Sequence, residues 1–167
     1  MLKKYEFTNE TTKIEDYLGN LHTLHRIKAL KDFGDVHKGD LGGWLEKESN
    51  LSHEGNCWVY NDAMVYSDAR VYDDAQVYGN AWVGDNAQVF GHAKIYDNAW
   101  VYDIAQVYGN AQVYGEAQVF GGAQVSDGAQ VYDEAQVHGN ARVCDNSVVC
   151  DDTEIFGDLI WANPRGN

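Results

Sequence analysis

Residues 105–116 read Ala105-Gln106-Val107-Tyr108-Gly109-Asn110, then Ala111-Gln112-Val113-Tyr114-Gly115-Glu116. The same six-residue phrase, Ala-x-Val-Tyr-(Gly/Asp)-Asn, recurs on both sides of this stretch. Residues 57–158 divide into seventeen such hexads with no insertion. The third slot is Val or Ile in every hexad, and the first is Ala in fourteen consecutive ones. The fifth is Gly or Asp in fifteen, and the sixth is usually Asn, Asp or Glu. A strict repeat of this kind decides the fold before any local propensity is weighed.

Within one hexad, Ala-x-Val-Tyr alternates, so Ala and Val point to one side and the second and fourth slots to the other. That is a short strand spanning the first four slots. The Gly/Asp-Asn pair suits a corner that needs positive φ. Two-residue corners are too short for helical crossovers, and their identical phase favours coiling in one direction over hairpins. A period of six matches neither 3.6 nor 3.5, which excludes a helix. The Val, Tyr and Phe content excludes a disordered tract. The expected fold is all-β, a parallel β-helix, with Val and Ala stacked inside.

The motif of an aliphatic residue followed four positions later by a small one, as in Val77-Tyr78-Gly79-Asn80-Ala81, resembles the hexapeptide-repeat superfamily. That resemblance implies a left-handed parallel β-helix solenoid of triangular coils, three hexads to the coil. General crossover rules would favour the right hand, so handedness rests on the resemblance alone. Arg26-Ile27-Lys28-Ala29-Leu30, Asp32-Phe33-Gly34-Asp35-Val36, Gly42-Gly43-Trp44 and residues 50–56 resemble the N-terminal block of the YdcK group of bacterial and phage-type proteins. The group's transferase label rests on the repeat itself. Tyr after the aliphatic residue departs from the Gly, Ala, Glu or Asp often found there in the superfamily.

With every eighteenth residue stacked about 4.8 Å above the last, three outer faces follow. The first carries Tyr60, Tyr78, Tyr96, Tyr114, Tyr132 and Cys150 in the fourth slot, an unbroken five-Tyr ladder. The second carries Tyr66, Gly84, Tyr102, Phe120, His138 and Phe156, with Met64, Trp82 and Trp100 beside them. The third carries Tyr72, Phe90, Tyr108, Ser126 and Cys144, beside Arg70, Gln88, Gln106, Gln124 and Arg142. Stacked Gln amides and aromatic rings stiffen a cross-β rod. Contiguous exposed aromatics also mark interaction surfaces. Tyr60, Tyr78, Tyr96, Tyr114, Tyr132, Trp82, Trp100 and Tyr102 are therefore the expected interaction residues, and a homo-oligomer, by resemblance a trimer, the expected partner.

An open solenoid needs caps. Residues 1–44 are expected to form an N-terminal β-rich cap, with strands near residues 4–8 and 24–30 and a turn-rich or hairpin segment over residues 11–20. The hexad phase is expected to open the rod at residue 45, through first-slot Leu45 and Leu51, and to run to residue 158. Residues 159–167 are expected to break phase as a C-terminal cap or tail, with Trp161 as a lid and Pro164 ending the ladder. His53 falls in an inward slot, which predicts a local irregularity or a hydrogen-bonded core histidine.

The net charge is −14. Residues 1–50 contribute −1 and residues 51–167 contribute −13. Direct binding to nucleic acid or an anionic membrane is not expected, because phosphate contacts need a basic face. Cys57, Cys144 and Cys150 make no disulfide framework and no paired metal spacing, so free thiols and no metal are expected. No signal peptide or membrane-length apolar run is read, and a cytoplasmic protein is the expectation. No phosphate loop, dinucleotide fingerprint or catalytic triad is legible.

Three functions are compatible with this reading. A non-catalytic scaffold or binding rod, self-associating through an aromatic face and needing no cofactor, is favoured. An acyltransferase-like enzyme with an intersubunit site would use acetyl-CoA, with His138 or His92 as the histidine that the superfamily resemblance implies. An acidic decoy presenting DNA-like charge to a nucleic-acid-processing partner is the third.

Overall fold

The computed structural model describes residues 2–158 and 160–162. Residues 57–158 wind as a parallel β-solenoid in which each strand stacks on the one three hexads away. Gln106-Val107 pairs with Gln88-Val89 on one side and Gln124-Val125 on the other. Three parallel ladders result, one per face. The regular strands span two slots, not four, because only the second and third slots lie within the ladder. The first and fourth slots already bend into the corner, where the first-slot amide bonds the preceding fourth-slot carbonyl, as from Ala111 to Tyr108 at 3.3 Å.

The interior is as the repeat dictates. Every first-slot Ala and every third-slot Val or Ile is buried, nearly all of them completely. Each Val contributes about 1.5 kcal/mol or more by leaving water.

The corners explain the fifth slot. All seventeen fifth-slot residues have positive φ, ten of them non-glycine: Asn61, Ser67 and eight Asp. Gly enters this left-handed region freely, while Asp and Asn tolerate it best among the others. Asp adds a second service. Its carboxylate accepts the fifth-slot N–H one coil later, as Asp73 does from Gly91 (3.2 Å) and Asp103 from Gly121 (2.9 Å).

The N-terminal region is a long antiparallel hairpin, β1 (Tyr5–Glu15) and β2 (Leu21–Ala29), followed by β3 (Leu41–Leu45). β2 pairs antiparallel with β3, and β3 pairs parallel with Met64-Val65 of the first coil. The hairpin thereby extends the ladder of the second face into a nine-stranded sheet. Of the two readings of residues 11–20, the hairpin is the one found: residues 11–15 are strand, and the turn is confined to the stretch between β1 and β2.

The first coil also departs from the expected phase. Leu45 pairs with Val65 and Leu51 bridges Val71, so both occupy the third slot rather than the first. The steps from Leu45 to Val65 and from Leu51 to Val71 are each two positions longer than the step from Val59 to its partner Val77. Two extra residues are therefore absorbed between Leu51 and Val59. His53 sits in this irregular stretch. It stacks on Tyr5 (4.4 Å), accepts the Lys4 N–H at Nδ1 (3.1 Å), and contacts Glu48 through Nε2 (2.8 Å).

A buried lysine ties the N-terminus to the same place. The Lys4 ammonium donates to the Cys57 carbonyl (2.8 Å), to the Cys57 thiol (3.2 Å) and to the Glu54 and Gly55 carbonyls (both 3.3 Å). Burial lowers its pKa and raises that of the Cys57 thiol.

At the far end, residues 160–162 do not break phase. Ile160–Ala162 is a strand in register with Arg142–Cys144, and Trp161 pairs with Val143. Trp161 thus occupies a third slot above the last Val of its ladder. Pro164 lies outside the described residues.

Candidate functional site: the aromatic faces

Rings in the fourth slot are held by two forces, stacking along the rod and hydrogen bonds between coils. On the first face, Tyr78, Tyr96, Tyr114 and Tyr132 stack at 4.7–4.8 Å, with interplanar angles of 2°, 2° and 11°. Tyr60 departs from the ladder. Its ring stands edge-on to Tyr78 at 87°, because its hydroxyl donates to the Asp35 carboxylate of the cap (2.6 Å). The five-Tyr ladder is therefore four parallel, stacked rings above one turned ring.

The hydroxyls reach one coil onward. Tyr72 donates to Gln88, Tyr96 to Gln112, Tyr102 to Gln118 and Tyr114 to Gln130, each at 3.0–3.1 Å. Each brace joins a fourth slot to the second slot of the next coil on the same face. The Gln ladders serve as acceptors for Tyr. Burial in the stack pushes the hydroxyl pKa values of Tyr96 and Tyr102 up to about 12.

The second face is built differently. Tyr66 is fully buried, edge-on to Trp82 (85°), and packs with Ile14 and Leu24 of the hairpin. The cause is Gly84, the one glycine in a fourth slot. A Cβ there would lie 2.3 Å from Cζ of Tyr66, so the Tyr66 ring fills the rung that Gly84 leaves vacant. The hairpin closes over it. His22 packs on Tyr66 with its ring tilted by 50° (4.9 Å) and lies between two carboxylates, Asp16 (3.2 Å, at Nε2) and Glu46 (3.1 Å, at Nδ1). Tyr17 reaches further along the rod. It packs on Tyr102 (5.0 Å) and donates to Asp103 (2.9 Å) and Asp85 (3.3 Å).

The electrostatics of this latch follow from its geometry. Burial alone would lower the His22 pKa, but hydrogen bonds to Asp16 and Glu46 raise it, since two flanking acceptors require both ring nitrogens to donate. Burial alone would raise Asp16. The amide of Asn20, the backbone of Asn20 and Leu18, and His22 outweigh it and bring Asp16 down to about 2.

Of the expected interaction residues, Tyr78, Tyr96, Tyr114 and Tyr132 form one regular strip. Trp82 stacks on Trp100 (5.0 Å) and packs against the hairpin cluster, and Tyr102 carries Tyr17. The two histidine candidates are not brought together. His138 stacks between Phe120 (4.7 Å) and Phe156 (5.8 Å), and its Nε2 contacts Glu154 (2.7 Å), in the second slot of the next coil. His138–Glu154 therefore repeats the Tyr–Gln brace with different side chains. His92 sits at an exposed corner, 3.6 Å from Asp74.

All three cysteines are free thiols. The winding sets Cys144 with Asp127 and Asp145, and Cys150 with Asp133 and Asp151, each set within 4.8 Å. This grouping arises between coils and is invisible to linear ligand spacing. In both sets the earlier Asp already accepts the N–H of the later one (3.3 and 3.2 Å). Among the described residues, no helix is long and apolar enough to cross a membrane.

Sequence similarity points the same way as the winding. The YdcK β-solenoid repeat matches residues 69–89, 105–121 and 135–151. Over 63 residues the chain is 38% identical to the protein named uncharacterised acetyltransferase YdcK of Escherichia coli (strain K12), a match covering 36% of this chain and 19% of that protein. The aligned stretch is thus about a fifth of the length of this curated relative. Wound at three hexads to the coil, the chain is a parallel β-solenoid whose repeat is similar, over those three stretches, to the YdcK β-solenoid repeat.

Proposed function

We propose that this protein is a non-catalytic scaffold rod that self-associates through the first face. The observation that carries the reading is the parallel Tyr78–Tyr96–Tyr114–Tyr132 stack, an aromatic strip whose two middle hydroxyls, Tyr96 and Tyr114, are fixed by Gln braces. Such a strip loses little conformational entropy when covered, because its rotamers are already set. A trimer suits a triangular rod, with one strip per subunit facing a shared axis. The second face is less suited, since the hairpin occupies its lower half. Three free thiols are in keeping with a reducing, cytoplasmic setting.

The test is the solution mass of the full chain against that of Tyr96→Glu and Tyr114→Glu. Two carboxylates in the strip are expected to convert the oligomer to monomer without loss of the β-rich circular-dichroism signal. A monomeric parent chain, or variants that keep the parent mass, would sink the reading.

A second reading, an acyltransferase-like enzyme using acetyl-CoA between subunits, is favoured by the name of the curated relative. It requires acetyl-CoA to bind the oligomer, and His138→Gln or His92→Gln to lower turnover. The decoy reading requires a basic DNA-binding partner to co-purify, and the corner carboxylates are its support.

A further inference from the structure

A notch at the base of the third face breaks the ladder pattern in an informative way. The stack there runs Tyr72, Phe90, Tyr108, with rings 4.8 and 4.9 Å apart and within 6° of parallel. Below Tyr72 the fourth slot belongs to Ser52. The backbone proves the position: Ser52 N–H bonds the Val71 carbonyl (3.0 Å), the same bond by which Tyr60 meets Val77 and Tyr72 meets Val89. A serine cannot cover the lower face of the Tyr72 ring. The space under it opens as a cavity of about 540 Å³, bounded by Ser49, Ser52, His53, Glu54, Arg70 and Tyr72.

We propose that this notch is a vacant rung that binds one planar aromatic ring bearing an anionic oxygen, of the aromatic carboxylate class. The molecule itself shows what fills such a gap, since the rung vacated by Gly84 is taken by the ring of Tyr66. The second slot of the coil above decides the ligand's polarity. In four other rungs the Tyr hydroxyl at the fourth slot donates to a Gln there, as Tyr72 does to Gln88, and in the rung of Tyr60 the Gln76 amide donates to the hydroxyl. For the rung of Ser52 that partner is Arg70, a donor with no acceptor capacity. The ring that fits must therefore present an acceptor, and a carboxylate matches the guanidinium fork best.

The charges around the notch agree. Among the described residues, no carboxylate lies within ion-pair distance of Arg70. Glu48, on the opposite wall, is already held by Lys3 (2.7 Å) and His53 (2.8 Å). His53 is fixed in turn by Tyr5 and the Lys4 amide, so this wall is rigid before any ligand arrives. The notch lies on a different face from the Tyr78–Tyr132 strip and stands independently of self-association.

The probe is sodium benzoate, titrated into the full chain and followed by amide and aromatic NMR shifts. Sodium cyclohexanecarboxylate serves as the non-planar control at matched ionic strength. Benzoate is expected to saturate with a Kd of about 1–10 mM, ordinary for so few atoms. Shifts should centre on Ser52, Arg70 and Tyr72, and the cyclohexane analogue should bind at least about fivefold more weakly. Arg70→Gln should weaken benzoate about tenfold. Ser52→Tyr, which places the missing ring covalently, should fold with unchanged or higher Tm and abolish binding. The proposal is overturned by no saturation up to about 50 mM, by equal affinity for the two carboxylates, or by a folded Ser52→Tyr that still binds. Should Ser52→Tyr fail to fold, Arg70→Gln with parental affinity overturns it instead.

Discussion

The first and second faces are wound from the same hexads, yet one is an open strip and the other a docking bed. On the first, four Tyr rings stack in parallel and the middle two brace to Gln. On the second, the lowest Tyr turns inward, a hairpin lies over it, and the flat stack resumes at Tyr102 with Phe120. One residue separates the two outcomes. Gly84 removes a rung, Tyr66 falls into the space, and its buried ring then offers an apolar seat to Ile14 and Leu24. In a periodic protein the consensus sets the rod, and the exceptions mark where something else settles on it.

The sharpest way to break the contrast is to remove one ring from each face. Tyr66→Ala should cost about 3–4 kcal/mol, because it opens a cavity under the hairpin that the rigid coils cannot collapse into. Tyr96→Ala should cost only about 1–1.5 kcal/mol, the worth of a half-exposed stacked ring. Denaturant unfolding of the two variants measures the gap, and equal costs would mean the faces do not differ as described. A step smaller is Gly84→Ala. Its Cβ would displace the Tyr66 ring, an overpacking expected to cost about 1–3 kcal/mol and to raise hairpin amide exchange ahead of exchange in the coils.

Smallest, and confined to the second face, is the pH response of the latch. The raised His22 pKa means its contribution is complete below the unfolded value near 6.5 and fades as pH climbs through the folded value. The depressed Asp16 pKa means its contribution is present above about 3.9 and fades toward pH 2. The hairpin should thus be held most firmly between about pH 4 and 6.5. Protection factors for residues 14–24, divided by those of Gln112-Val113, should fall on the alkaline side, and His22→Gln should flatten that limb. A ratio constant from pH 5 to 9 would remove His22 from the latch.

The rod is legible in the sequence because each slot has one physical duty. Val and Ala bury, and the fifth slot takes positive φ, which Gly, Asp, Asn and one Ser all accept. Alternation overstates strand length because it continues through the fourth slot while the ladder does not. The phase of the first coil is hidden because Leu45 and Leu51 carry no Ala two places before them to mark the slot, and residues 52–57 conceal two extra positions. The continuation through Trp161 is hidden because the third slot is Val or Ile in all seventeen hexads before it, so a Trp there does not read as part of the repeat. The candidate surface is legible as three faces but not as covered and uncovered halves. That distinction depends on where residues 16–22 land. Their turn chemistry says nothing about a landing site as distant along the chain as Asp85 and Asp103.

The constant three-hexad register has a consequence for length. Each coil is bonded to the coil before and the coil after through a backbone register and an Ala/Val interior that recur from coil to coil. Residues 105–122 form one such unit, and their removal sets Ala123 after Ile104 with every first-slot and third-slot neighbour of matching kind. The rod behaves as a ruler graduated in whole coils. It can be shortened or extended at any middle graduation without re-solving its core, provided the hairpin at one end keeps Gly84 and Tyr66 beneath it.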